Sequence, residues 1–295
     1  MISRILVPVD GCARSEAILP YVEALSNRLG ARVTLLHVFP PSLHEQRAVH
    51  IQYIETLASQ LQDGLHHAGL EVDGVALEGR PNRVIADYAS RQDVRLIAAS
   101  PHSQSSDGHW TVGRTADKVI RETSKPVLLV RTEDGAGVAD TEVLNRIVVP
   151  LDGSPASRDV LAHVEAILRG LWTSGAGMVW LIHVIPANHY AAGPVIAKLV
   201  PYSKEESDEL RAQASRYLEE VAAKLRAEGK KVETRVTSGD AAEMILQTAD
   251  DVGANLIAMT THGYSGFSQL FLGSVAERVL HKTAKPLLLV RPLRY

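Results

Sequence analysis

The sequence predicts an α/β protein built from two tandem copies of a parallel, doubly wound sheet with helices on both faces. The first sign is an internal repeat. Residues 4–11 read RILVPVDG and residues 146–153 read RIVVPLDG. Leu36-His37-Val38 returns as Ile182-His183-Val184. From Gly79 onward the register between copies holds constant, pairing Gly79 with Gly239, His102 with His262, Gly113 with Gly273 and Lys125-Pro126 with Lys285-Pro286. Self-similarity on this scale marks a duplicated unit. The second sign is length: 295 residues, at roughly 100–200 per domain, favour two domains. The third is the alternation of strand and helix patterns, with strands of almost continuous Val, Ile and Leu, as in strands buried on both faces.

In order, the first copy has β-rich runs at 4–10, 32–39, 72–79, 95–100 and 126–131. Helical patterns lie between them at 14–29, 50–68, 82–92 and 114–123. The second copy repeats the strands at 146–152, 178–185, 232–239, 256–261 and 286–291. Residues 205–220 form a charged amphipathic helix, read as a surface helix. Lys125-Pro126 and Lys285-Pro286 open strands, where proline is tolerated. The shifting register in the second copy's first half implies insertions near Gly175 and between Ala187 and Ser207. Residues 132–143, TEDGAGVADTEV, lack apolar periodicity and read as the linker, dividing the chain into 1–132 and 144–295. Two helices per face require one reversal of strand order, and ligands bind at the strand carboxyl ends beside that switch.

Composition removes several classes. Hydrophobic residues make up 45% and charged residues 22%, which excludes disorder. A net charge of −3 gives no basic excess for nucleic acid or acidic lipid. Apolar runs such as 126–130 fall far short of the roughly 20 residues that span a bilayer. The opening residues run straight into a strand pattern ending in Asp10, unlike a signal peptide. Cys12 has no cysteine partner, so nothing points to an oxidising compartment. The expectation is a cytoplasmic protein that binds neither nucleic acid nor membrane.

Chemistry could sit at the strand ends. Asp152-Gly153-Ser154-Pro155 closes the second copy's first strand and is also a plain helix start, with Asp or Ser as cap and Pro behind it. After the fourth strand come Thr260-Thr261-His262-Gly263, Gly266, then Gly273-Ser274 opening the last helix. Gly263 and Gly266 permit close backbone approach. Gly273-Ser274 at a helix N-terminus offers free N–H groups, a hydroxyl and the positive dipole end, an anion site.

With these residues in view, the chain resembles a tandem member of the universal stress protein family over nearly all of both halves. The resemblance rests on ILVPVDG and IVVPLDG, LLHVF and LIHVI, KPVLLVR and KPLLLVR. Nucleotide-binding members carry Gly-x2-Gly-x9-Gly-Ser/Thr after strand four. Here Thr260 replaces the first glycine, while Gly263, Gly273 and Ser274 match. In the first copy Ser103 replaces the second glycine, Gly113 remains, and Arg114 replaces the hydroxyl residue. The resemblance implies ATP, with Mg²⁺ as an optional companion, in the second copy, and a degenerate site in the first. Adenine would meet Val184, with Val38 its first-copy counterpart. Ribose and the adenine edge would lie near Pro150, Leu151 and Asp152, and phosphates along 260–266 and then Gly273, Ser274 and Val275. The degenerate pocket comprises Asp10, Val38, His102, Ser103, Gly113 and Arg114. A ligand shared by strands one and four makes them neighbours, selecting order 3-2-1-4-5 over 2-1-3-4-5. The fifth strands are then apolar edges that invite pairing, so the copies should form an intrachain pseudo-dimer. A homodimer stays open, and protein clients are unnamed.

His37 and His183, inside apolar strands, read as core histidines, whereas His102 and His262 sit where ligand or loop backbone would be touched. His66-His67 reads as a solvated helix face. The 12 histidines and single cysteine show no zinc spacing. Cys12, near a helix start, is weak ground for redox work. No Gly-x4-Gly-Lys-Ser/Thr or Gly-x-Ser-x-Gly motif occurs, and no second carboxylate stands at the strand-four end to position water. The first expectation is a nucleotide-binding sensor or regulator in a stress response, not a catalyst. The alternatives are an interaction scaffold with vestigial pockets and a slow ATPase.

Overall fold

A computed structural model describes residues 2–65, 69–91, 93–101, 113–131, 144–169, 171, 175–191, 198–262 and 272–292. The first copy runs β1 (Arg4–Val9), α1 (Ala13–Glu16), α2 (Leu19–Leu29), β2 (Arg32–Phe39), a 3-10 turn (Pro41–Gln46), α3 (Arg47–Asp63), β3 (Val72–Glu78), α4 (Pro81–Arg91), β4 (Leu96–Ala99), α5 (Arg114–Glu122) and β5 (Val127–Leu129). The second runs β6 (Arg146–Pro150), a 3-10 turn (Ala156–Arg158), α6 (Asp159–Ile167), β7 (Met178–Ile185), β8 (Asn188–Ala191), β9 (Lys198–Pro201), α7 (Lys204–Ala227), β10 (Val232–Ser238), α8 (Ala241–Asp251), β11 (Leu256–Thr260), α9 (Ser274–Lys282) and β12 (Leu287–Val290). None of the described helices is long and apolar enough to cross a membrane.

The strands form one ten-stranded sheet in the order β10-β7-β6-β11-β12-β5-β4-β1-β2-β3. Within each copy this is the expected 3-2-1-4-5, and every pairing there is parallel. The copies meet through their fifth strands, antiparallel, with Leu287 opposite Leu129, Leu288 opposite Leu128 and Leu289 opposite Val127. The two expected sheets are therefore fused edge to edge. Fusion hides two apolar edges that would otherwise template aggregation. Successive side chains point to opposite faces, so Leu128 and Leu288 enter one apolar layer while Val127, Leu129, Leu287 and Leu289 enter the other. Both layers run across both copies.

Polar contacts reinforce the seam. Arg291, just past β12, donates to the carbonyls of Arg121 (2.8 Å) and Thr123 (3.2 Å) at the end of α5. Arg131, just past β5, reciprocates onto the Leu280 carbonyl of α9. Each arginine caps the last helix of the other copy, where cations suit the negative dipole end.

Local chemistry moves some boundaries. The helical pattern at 14–29 is two helices, because Pro20 lies in the first turn of α2. A proline ring inside one continuous helix would clash with the carbonyl four residues back. The helix read at 50–68 begins earlier, at Arg47, and ends at Asp63; His66 and His67 lie outside the described residues. The helix read at 205–220 extends to Ala227 and buries Leu218, Val221 and Leu225. It starts with a reciprocal cap: Ser203 Oγ accepts from the Glu206 N–H (3.1 Å), and Glu206 Oε2 accepts from the Ser203 N–H (2.8 Å). Ser203→Ala should destabilise the chain by about 1 kcal/mol, read as a lowered urea midpoint; an unchanged midpoint would show the cap to be idle. The hairpin β8–β9 occupies the second-copy insertion and was not foreseen.

His37 is buried, and its Nδ1 donates to the Val9 carbonyl (3.0 Å). Its Nε2 is then the acceptor for His50 Nδ1, 3.0 Å away. Burial lowers the pKa of His37, His163 and His262 below the ordinary 6.5. Unfolding frees these groups to bind protons, so their contribution is full above pH 6.5 and lost as pH falls toward the depressed folded values. The urea midpoint should be flat above about pH 6.5 and decline by about pH 5.5. A midpoint unchanged across that window would refute the assignment.

Candidate functional site

In each copy the first and fourth strands are neighbours, and the helices that follow them, α2 and α5 in the first copy and α6 and α9 in the second, pack on opposite faces of the sheet. A crevice opens where they part. In the second copy β6 ends at Pro150. The Leu151 N–H donates to the Ile182 carbonyl (2.8 Å), and the Leu151 carbonyl accepts from His183 Nδ1 (2.8 Å). Asp152 Oδ1 accepts from the Ser154 N–H (2.9 Å) and hydroxyl (2.6 Å). Ser154 Oγ accepts in turn from the Ser157 N–H (3.1 Å). Gly153 sits at φ +90°, a left-handed turn that suits glycine. Asp152 therefore does act as a turn cap, while also lining the crevice.

At the other wall, Thr260 Oγ1 donates to the His262 carbonyl (2.9 Å), and Thr261 Oγ1 pairs with His262 Nδ1 (2.9 Å). The Gly273 N–H donates to the Thr261 carbonyl (2.8 Å). A Cβ on Gly273 would stand 3.0 Å from that same oxygen, so glycine is what allows the close approach. Gly273 is the N-cap of α9 with no side-chain cap. The N–H groups of Ser274, Val275 and Ala276 thus have no intrahelical acceptor. His262 Nε2 is buried and has no hydrogen-bond partner among the described residues. Burial and, secondarily, the positive charge of Arg291 keep its pKa low.

Pro150, Leu151, Asp152, Val184, Thr260, Thr261, His262, Gly273, Ser274 and Val275 all line one cavity of about 300 Å³. Gly263 and Gly266 lie outside the described residues. Sequence reasoning passed over Ile182, Ile245 and Met259, which form the cavity's apolar side. The alternation that puts Ile182 on the same face as Val184 was the available signal.

Asp10, Val38, Gly113 and Arg114 line the matching first-copy cavity of about 570 Å³; His102 and Ser103 lie outside the described residues. Asp10 repeats the turn, its Oδ1 accepting from the Cys12 N–H (3.1 Å). Cys12 is exposed. Among the described residues no group of three or more His, Cys, Asp or Glu could hold a metal ion.

These features define a class: a tandem parallel α/β protein with a strand-end crevice in each copy. The chain belongs to the universal stress protein family, whose sequence profile matches residues 1–131 and 144–291. It is a tandem member. A universal stress protein of Mycolicibacterium smegmatis is 24% identical over 306 residues, covering 98% of this chain and 97% of that one. One from Methanocaldococcus jannaschii is 29% identical over 156 residues, or 50% of this chain and 94% of its own. Among solved structures, a universal stress protein from Archaeoglobus fulgidus superposes with a TM-score of 0.74 at 18% identity, covering 99% of both chains. That likeness establishes the shared fold.

Proposed function

We propose that this chain binds an adenine nucleotide, ATP in the first place, in its C-terminal copy and serves as a stress-response sensor or regulator in the cytoplasm. The division of labour follows the two domains, 1–132 with a degenerate motif and 144–295 with a near-complete one. The observation that carries the reading is the open start of α9. Gly273 brings it against the Thr261 carbonyl, and no side chain of the described residues caps the helix.

Backbone N–H groups of Ser274, Val275 and Ala276, with the positive dipole end, suit phosphate oxygens without a lysine. Val184, Leu151 and Ile182 supply apolar surface for the adenine end. Bound ATP would contribute its own anionic phosphates and any Mg²⁺ travelling with them. Asp152 is the only carboxylate among the described lining residues, and its Oδ1 already serves Ser154. No carboxylate pair is on hand there to orient a water, which favours a binder over a catalyst.

The test is the nucleotide content and ultraviolet absorbance of freshly purified chain, followed by calorimetry with ATP and a phosphate-release assay with Mg²⁺. One ATP site per chain without sustained phosphate release is expected. Sustained release would make the protein an ATPase. Absence of adenine nucleotide binding in both copies would leave the interaction scaffold as the better reading.

A further inference from the structure

The two crevices sit at equivalent points of the repeat but differ in volume. The first-copy cavity measures about 570 Å³ and the second about 300 Å³. Smaller side chains line the first: Val9 stands for Leu151, Ser100 for Thr260 and, above all, Ala99 for Met259. Met259 is only 6% exposed, so its thioether chain fills the interior. Ala99 stops at Cβ and leaves that space open. The neighbouring lining residues Leu36, Ile85, Val119 and Leu129 are apolar and buried. An apolar recess in a ligand-sized cavity holds a guest better than it holds water.

The other end of the same cavity is cationic. It reaches Gly113 and Arg114 at the start of α5, which has no side-chain cap. Arg114 is exposed and makes no ion pair among the described residues. The second copy has neutral Ser274 at this position.

We infer that the first-copy crevice is a ligand site in its own right, suited to a small anionic amphiphile. Its apolar ring system or short chain occupies the recess beside Ala99. Its compact carboxylate, sulfonate or phosphate meets Arg114 and the start of α5. The inference does not depend on ATP binding in the second copy, and either can fail alone.

The test titrates the full chain with the fluorescent probe anilinonaphthalene sulfonate, an anion on an apolar ring system, in parallel without ATP and with excess ATP. One saturable site per chain that survives excess ATP is expected. Ala99→Met should weaken it by about tenfold or more, because the recess is filled. Arg114→Ser should weaken it several-fold and flatten its salt dependence. Both substitutions install the residue that the second copy already carries, and thermal melts check that each variant is folded. Three outcomes would each overturn the inference: no saturable site, a site indifferent to both substitutions, or displacement of the probe by ATP that is lost in Arg114→Ser. The last would make the first crevice an ordinary nucleotide site.

Discussion

Leu288→Lys is expected to destabilise the chain by about 4 kcal/mol or more, among the larger effects a single substitution produces. Leu288 and Leu128 are both 0% exposed and stand directly opposite each other where β12 meets β5. Truncating such a leucine to alanine already costs about 2–5 kcal/mol. Lysine must in addition bring an ammonium group into a layer made of leucine, valine and isoleucine. Leu288→Met, which keeps the volume, should cost less than about 1.5 kcal/mol. Urea unfolding followed by tryptophan fluorescence measures all of these. Alanine substitutions at Leu128 and Leu288 should also be non-additive, since the two side chains share one contact. If Leu288→Lys melts like the parent chain, the two copies do not meet through these strands in solution.

The seam was legible in the sequence because each copy ends in an apolar run with no later strand of its own to cover it. The strand order was legible through the family resemblance: it places residues ending strands one and four around one ligand, and that selects 3-2-1-4-5 over the alternative winding. The break at Pro20 was also on view, since a proline cannot sit inside a continuous helix, but the long apolar period of 14–29 outweighed it. The hairpin of β8 and β9 carried no comparable signal. Its four-residue strands are too short for alternation to stand out.

At the candidate site, the glycine and hydroxyl residues stand out in any reading of the sequence. The residues that set cavity volume do not. Ala99 and Met259 look like ordinary core positions until the fold shows that each faces an opening. Arg114 shows the same limit from the other side. Its place in the motif announced a defect in a nucleotide site, whereas its place in the structure is beside a larger cavity.

The helix start of α9 allows a substitution whose effects on stability and on binding have opposite signs. Ser274→Asp puts a carboxylate at the first position of α9, where negative charge favours the helix by about 0.3–1 kcal/mol. The same carboxylate would face the phosphates proposed to sit there. Two like charges about 4 Å apart repel by about 4 kcal/mol at the effective dielectric near a protein surface, before salt screening. With screening, a loss of about 100-fold in ATP affinity is expected, while the melting temperature stays level or rises. Ser274→Asn, without charge, should remain within a few-fold of the parent. Affinity for adenosine, which lacks phosphates, should hardly change in either variant. Calorimetry and thermal melts on the same samples decide the matter. ATP binding that survives Ser274→Asp unchanged would remove the phosphates from the start of α9, and with them the main support for a nucleotide site in the second copy.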